Sequence, residues 1–410
     1  MEINGLELNG LELNGTRAGE KDTDIKKILF LTGTRADYGK LKPLIRLCEA
    51  HFETHLFVCG MHLLKEYGET YNEVIRDGYE NVHIAQDLGY LGEMDLDLSH
   101  TVISLNGYLK RISPDLIVIH GDRVDALAGA ISGLLNNVLI AHVEGGEVTG
   151  TVDEAIRHAI TKMAHLHFVA NYESRLRIIQ LGENPGHVFV IGSPDIDIML
   201  SGEVPPVDEV KLANGIQFDR YGIIMYHPVT TEYERTKEKA EKVFEAAEYS
   251  GRNYIVIYPN NDLGSNYIID EIDKLAGNPR YKVFKSLKFE HFLSLLRSAS
   301  FIMGNSSAGI REACVYGVPV IDIGTRQQGR YRPEVLRNIQ AVTEDTGEIL
   351  RCIYSVERCR VKSSYFGDGN SARLFVDTIK NSDKTLVQKK FVDSGQTKKA
   401  IKMHFKETGF

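Results

Sequence analysis

Carboxylates, imidazoles and guanidiniums gather at two places in the first half of the sequence. His120-Gly121-Asp122-Arg123-Val124-Asp125 closes one apolar run and His142-Val143-Glu144-Gly145-Gly146-Glu147 closes the next, before Gly150-Thr151-Val152-Asp153-Glu154-Ala155-Ile156-Arg157-His158 opens an amphipathic segment. Asp122, Glu144 and Asp153 are the residue types that take a proton at one atom and return it at another. Each has a plainer reading as well. On a helix Asp153 and Arg157, like Glu154 and His158, stand four apart on one face, where ion pairs merely support the helix. It is the clustering of three carboxylates with flanking His and Arg that points to acid–base work.

A second chemistry is anion binding. Gly304-Asn305-Ser306-Ser307-Ala308-Gly309 follows an apolar run and leads to Arg311 and Glu312. Small residues admit close backbone approach, hydroxyls donate hydrogen bonds, and a helix N-terminus favours negative charge, which together suit a diphosphate. An Asn/Ser helix cap would explain one of these residues. A nucleophile elbow on Ser306 would need Gly at 308, where Ala308 stands, and nothing else marks a hydrolase triad. Gly33-Thr34-Arg35-Ala36-Asp37-Tyr38-Gly39 offers an Arg where a strand gives way to a helix, fit for an anionic ligand or simply a helix entry. Pro228 ends a strand after His227, so the imidazole points from a strand end, as a cleft residue or a structural hydrogen-bonding one. His165 and His167 alternate on one strand face without a third ligand, so no metal is expected. With no GxGxxG and no GKS or GKT, no cofactor is expected either.

Such residues need strands to carry them to one edge and helices to open behind them. Short β-rich runs alternate with longer amphipathic segments, the mark of βαβ units around parallel sheets. The pattern predicts strands over 27–32, 54–59, 115–120, 138–143, 166–170 and 188–191, with helices over 41–51, 123–135, 153–163 and 173–181. A second series predicts strands over 221–226, 253–258, 281–285, 301–303 and 319–323, with helices over 236–249, 267–275, 289–298 and 310–316. The fold class is therefore α/β, with two Rossmann-like domains, 26–200 and 220–370, joined by a Pro-Pro and Asn-Gly punctuated connection over 201–219 and facing a cleft. Residues 1–25, where NGLEL occurs twice, are too short for a solenoid and are expected to form a mobile leader. The Lys-rich tail over 384–410 reads as a solvated tail or terminal helix, with a partner-binding arm as the alternative.

At 410 residues the chain has room for two or three domains, and 43% apolar with 25% charged residues is the composition of a globular protein. Lys plus Arg number 48 against 56 Asp plus Glu, a net charge of -8, so there is no global basic field for nucleic acid or an anionic membrane. Neither partner is expected. The five cysteines, Cys48, Cys59, Cys314, Cys352 and Cys359, are scattered without a CxxC pair, which suggests a reducing, cytoplasmic setting. No apolar run approaches the roughly 18 residues of a membrane span. The first Lys or Arg is Arg17, so no secretory signal is expected.

TRADYGK at 34–40, HGDRVDAL at 120–127, HVEGGEVTGTVDEAIRHAITKMAH at 142–165, HPVTT at 227–231 and GNSSAGIREA at 304–313 resemble the hydrolysing UDP-N-acetylglucosamine 2-epimerases of sialic acid biosynthesis. IGTRQQGR at 323–330 and YFGDGNS at 365–371 extend the resemblance over roughly residues 26–382. The chain ends where the vertebrate bifunctional members continue into a kinase domain, so it looks like the stand-alone bacterial or archaeal type. The resemblance implies a glycosyltransferase-B architecture, a UDP-sugar in the cleft, a C-terminal helix over 371–383 returning to the first domain, and a homo-oligomer, dimer or tetramer. It puts Arg35, Asp262, Ser306 and Ser307 near the nucleotide and diphosphate, Glu312 on the ribose, and Arg326 and Arg330 near the phosphates. Asp122, Glu144 and Asp153 match the family's catalytic carboxylates. His227, counted with them, and Arg123 match cleft residues close to the sugar and diphosphate.

Family members eliminate UDP across C1 and C2, giving a 2-acetamidoglucal, and add water so that free N-acetylmannosamine leaves. Two faces of C2 must be served, which one residue does not easily do, and a closed cleft should raise the pKa of at least one carboxylate. Alternatives on the same architecture are a non-hydrolysing epimerase or a glycosyltransferase; an inert nucleotide-sugar sensor is another, for which loss of the carboxylates would be the expected mark. Related enzymes act on 2,4-diacetamido sugars of legionaminic acid pathways.

Overall fold

Apolar runs that are buried on both faces become parallel strands. The first half carries β1 (Lys27–Thr32), β2 (Glu53–Val58), β3 (Asn81–Ile84), β4 (Leu116–His120), β5 (Leu139–Val143), β6 (Leu166–Val169) and β7 (Val188–Val190), paired in the order β3-β2-β1-β4-β5-β6-β7. The second carries β8 (Gly222–Met225), β9 (Tyr254–Ile257), β10 (Tyr281–Phe284), β11 (Phe301–Gly304), β12 (Val320–Ile323) and β13 (Ile339–Val342), in the order β10-β9-β8-β11-β12-β13. Every pairing is parallel. The computed structural model describes residues 25–408 except 66–67, 86–92, 149–151, 260–261 and 382–387. The NGLEL repeat, Gly150, Thr151 and part of the Lys-rich tail thus lie outside the described residues.

Helices cover the sheets: α1 (Arg35–Glu49), α2 (Tyr71–Arg76), α3 (Met94–Ile112), α4 (Val124–Leu135), α5 (Val152–Met163), α6 (Tyr172–Gln180), α7 (Asp195–Leu200), α8 (Val207–Ala213), α9 (Thr236–Tyr249), α10 (Ser265–Asp273), α11 (Phe289–Ser298), α12 (Ser307–Ile310), α13 (Glu312–Tyr316), α14 (Thr346–Ser355), α15 (Ser371–Asn381) and α16 (Gly395–Thr408). No helix among the described residues is long and apolar enough to cross a membrane. Strand order reverses between β1 and β4 in one sheet and between β8 and β11 in the other. Open α/β sheets take ligands at the strand ends beside such switch points. The Gly33 loop and Asp122 lie at the first, His227 and Ser306 at the second.

Several elements differ from the sequence reading. β3 and β13 are edge strands of four residues, mostly half-buried, so they lack the continuous apolar run that marks a central strand. The helix expected over 310–316 is instead two pieces, α12 and α13, broken at Arg311 (φ -91°, ψ -71°). The expected connection over 201–219 includes α8, whose Val210 enters the core of the second domain together with Val204 and Ile216. Helix α15 does return to the first domain. Its Phe375 ring sits 4.4 Å from Phe168 in that core, and Asp197 caps its first turn by accepting from the N–H groups of Ser371 (2.9 Å) and Ala372 (2.7 Å).

Candidate active site

The register pairs His120 with Val143, so the loops after β4 and β5 emerge side by side. Glu144, the first residue beyond β5, is buried and holds a left-handed backbone (φ 60°), a conformation that costs a non-glycine residue about 1 kcal/mol or more. Four side chains converge on it. Its carboxylate accepts from Lys40 Nζ (2.8 Å), His120 Nε2 (3.1 Å), Arg311 (3.0 Å) and the Ser193 hydroxyl, while Arg311 also pairs with Glu147. Burial alone would raise the Glu144 carboxyl, but Arg311, Lys40 and His120 outweigh it and hold it well below the usual range. Asp122 pairs with Arg157, a buried guanidinium on α5 that also donates to the Glu147 carbonyl at 2.8 Å. Beneath these loops His142, kept neutral by burial with its pKa lowered to about 3, bridges the Gly121 carbonyl (2.8 Å) and Thr161 Oγ1 (3.1 Å).

Across the cleft the second switch point is organised by Asn305. Its side chain accepts from the His227 N–H (2.7 Å) and donates to the His227 carbonyl (2.9 Å), tying β8 to β11. The preceding Gly304 (φ 130°) lies so close to the Met225 carbonyl that a Cβ would collide with it. Ser306 caps α12 by accepting from the Ala308 N–H at 3.3 Å, leaving Ser307 exposed on the first turn. Arg326 (3.1 Å) and Gln327 (2.8 Å) both donate to the Asn305 carbonyl, and Arg330 donates to Gln327 Oε1 at 3.2 Å. Burial pulls the Arg330 guanidinium below its ordinary value, with Arg311, Arg326 and Arg157 adding to the effect and Glu147 opposing it. Four guanidiniums thus lie near one another, Arg157 and Arg311 already paired with carboxylates of the first domain, and Arg326 and Arg330 placed to meet a further anion.

Two cavities flank α12. The smaller, about 150 Å³, is lined by Glu147, Ser307, Arg311, Gln327 and Arg330; the larger, about 470 Å³, by Arg35, Lys40, Asp195, Glu312, Leu287 and Phe289 among others. Glu312 has an enclosed Oε2 with no hydrogen-bond partner among the described residues, and burial with Asp195 nearby pushes it up to about 7. Such a protonated carboxyl can donate to a ligand hydroxyl or, once ionised, accept from one.

A sequence profile described as UDP-N-acetylglucosamine 2-epimerase matches residues 46–380. The chain belongs to that family. Among curated relatives, a UDP-N-acetylglucosamine 2-epimerase of Neisseria meningitidis serogroup B is 43% identical over 90% of this chain and 99% of its own length. A UDP-N,N'-diacetylbacillosamine 2-epimerase (hydrolyzing) of Legionella pneumophila is 31% identical over 87% of this chain and 96% of its own. In fold the chain is similar to the crystal structure of a Neisseria meningitidis UDP-GlcNAc 2-epimerase bound to UDP-GlcNAc, with TM-score 0.74, 18% identity and coverage of 86% and 99%.

Within this epimerase-family fold the residues singled out from sequence fall into groups. Asp122 and Glu144 share adjacent strand ends, and Asp153 lies in the first turn of α5. Arg157 turns to Asp122, whereas the sequence spacing suggested Asp153 as its partner; Glu154 and His158 do approach, at 3.8 Å. Ser306, Ser307, Arg326, Arg330 and the backbone of His227 come together through Asn305. Asp262 lies close enough to act electrostatically on Arg326. Arg35 is exposed and pairs with Glu73 at 3.1 Å. Arg123, expected close to the sugar and diphosphate, lies exposed with its guanidinium 3.1 Å from Met61 Sδ. The raised carboxyl expected of the cleft is Glu312, whereas Glu144 moves the other way. His167 pairs with Glu183 at 3.2 Å, and no metal-binding group of three His, Cys, Asp or Glu occurs among the described residues. Lys40 and Ser193 escaped the sequence reading, since one lies in a helix turn and the other in a loop, and only folding brings them to Glu144. Lys40 sits one turn beyond Arg35 in the TRADYGK segment, which is the signal that could have marked it.

Proposed function

We propose that the chain is a hydrolysing 2-epimerase: UDP-N-acetylglucosamine, or a 2,4-diacetamido relative, and water give UDP and the free 2-epimeric sugar, feeding sialic or legionaminic acid synthesis. The observation that carries this is the union of an ionised, cation-locked Glu144 and an Arg157-paired Asp122 on one wall with Arg311, Arg326 and Arg330 converging from the other. Asp122 is the base that takes the C2 hydrogen while the C1–O bond breaks, and the electron pair leaves on the diphosphate. Ser306, Ser307, Arg326 and Arg330 hold that diphosphate and offset its charge, and Arg35 and Asp262 complete the nucleotide side. The C1–C2 double bond then receives water at C1 and a proton at the opposite face of C2, from the group formed by Glu144, Asp153 and His227. Glu312 hydrogen-bonds the ribose.

The hydrolysing mode is supported by the character of the Legionella relative named above, and a sialic acid role by the 31% identity to a polysialic acid biosynthesis protein of Escherichia coli. Turnover in deuterated water tests it. The expected products are UDP and an equal amount of free sugar carrying deuterium at C2. UDP retained on the epimerised sugar would establish the non-hydrolysing mode, and transfer to an acceptor would establish a glycosyltransferase.

A further inference from the structure

Beyond residue 380, where the family match ends, residues 389–392 pack on the first domain that α15 has already reached. Lys389 Nζ donates to the carbonyls of Thr161 (3.2 Å) and Lys162 (2.8 Å), in the last turn of α5, and pairs with Glu183 at 2.5 Å. Helices end with unpaired carbonyls and a partial negative charge, so an ammonium there satisfies both. Two residues on, Phe391 lies over Gly182 (φ 84°), where any Cβ would run into the ring, and Lys162 sits 4.9 Å above that ring. Val392 N–H donates to the Gly182 carbonyl at 2.9 Å. A solvated tail has no reason to match a glycine, two carbonyls and a buried glutamate in five residues.

Two relays run from this contact to the cleft. Thr161, whose carbonyl Lys389 holds, presents Oγ1 to His142 Nδ1, and His142 Nε2 donates to the Gly121 carbonyl beside Asp122. The same helix supplies Arg157 to the Asp122 carboxylate. On the other side Glu183, which Lys389 shares with Lys162 (2.6 Å) and His167 (3.2 Å), fixes β6; the next residue, Phe168, accepts the Glu144 N–H at 2.8 Å. We infer that Lys389 is a positioning residue, and that residues 388–392 strap the far end of α5 so that Asp122 and Glu144 are held for proton transfer.

This rests on the epimerase reading for its kinetic half only. In the full-length protein, Lys389→Met removes the ammonium but leaves Glu183 its partners Lys162 and His167, so folding is retained. The expected result is a kcat lowered about tenfold, KM and calorimetric UDP affinity within about twofold of wild type, and faster amide exchange in α5. Lys389→Arg keeps the charge and several donors and should restore most of kcat. An unchanged kcat in Lys389→Met overturns the inference, as does a loss that extends equally to UDP affinity or that Arg fails to rescue. Should the wild type prove to lack epimerase activity, amide exchange still decides: unchanged protection of α5 in Lys389→Met overturns the strap.

Discussion

Glu144 and Glu312 both feel Lys40, yet they titrate in opposite directions. Glu144 has cations or hydrogen-bond donors on every side and is held ionised; Glu312 has an orphan oxygen against Asp195 and a cavity of about 470 Å³, and keeps its proton to about 7. Burial is common to the two, so the difference comes from partners alone. The first wall is a finished electrostatic machine whose groups satisfy one another. The second is open, with donors and cations left for something that arrives. Changes on the first wall should therefore alter kcat at constant UDP affinity, and changes on the second should do the reverse.

The sharpest break in this division would come from Asp122. Asp122→Asn keeps the shape but not the base, and kcat should fall about a thousandfold while calorimetry finds UDP affinity unchanged. Near-normal turnover by the folded variant would remove Asp122 from the chemistry. Next in size is Glu144→Gln, which leaves Arg311 and Lys40 without their shared carboxylate. Breaking a buried pair from one side costs about 3–5 kcal/mol, to be read by urea unfolding, and accumulation of the glucal by the remaining folded enzyme would assign Glu144 to hydration. On the other wall Ser307→Ala should weaken UDP by about one to two orders of magnitude, since a hydrogen bond to a charged group contributes roughly 1.5–3 kcal/mol. An unchanged Kd would dissolve the contrast between the walls.

The smallest effect is a slope. Folding lifts Glu312 from an ordinary 4.5 to about 7, so between those values the folded protein binds the extra proton. The stability this gives is complete below about 4.5 and is lost as pH rises through about 7. Glu312→Gln lacks that loss, and melting curves should show wild type falling relative to the variant across this window. Parallel curves would mean that Glu312 is ionised throughout.

The strand-end motifs were legible because a parallel sheet places every C-terminal loop on one edge, so Asp122 and Glu144 could be put together without coordinates. The edge strands β3 and β13 were not, since half-buried runs of four residues carry no strong period. Nor was the true partner of Asp122: helical spacing offers Arg157 to Asp153, and only the approach of α5 to β4 turns it elsewhere. Arg311 was visible as a residue beside the cradle, but its grip on Glu144 spans 167 positions of sequence and both domains. The strap was hidden for a related reason, because lysines in a polar tail look alike until one of them meets a helix end.

Asn305 carries a consequence of its own. Its side chain both gives and takes a hydrogen bond on the same backbone residue, His227, while its carbonyl gathers Arg326 and Gln327. Aspartate has the length but two acceptors; glutamine has the amide but one methylene too many; leucine has neither function. The position thus behaves like a word with one spelling, and any chain built on this site that writes another letter there must rebuild three loops to say the same thing.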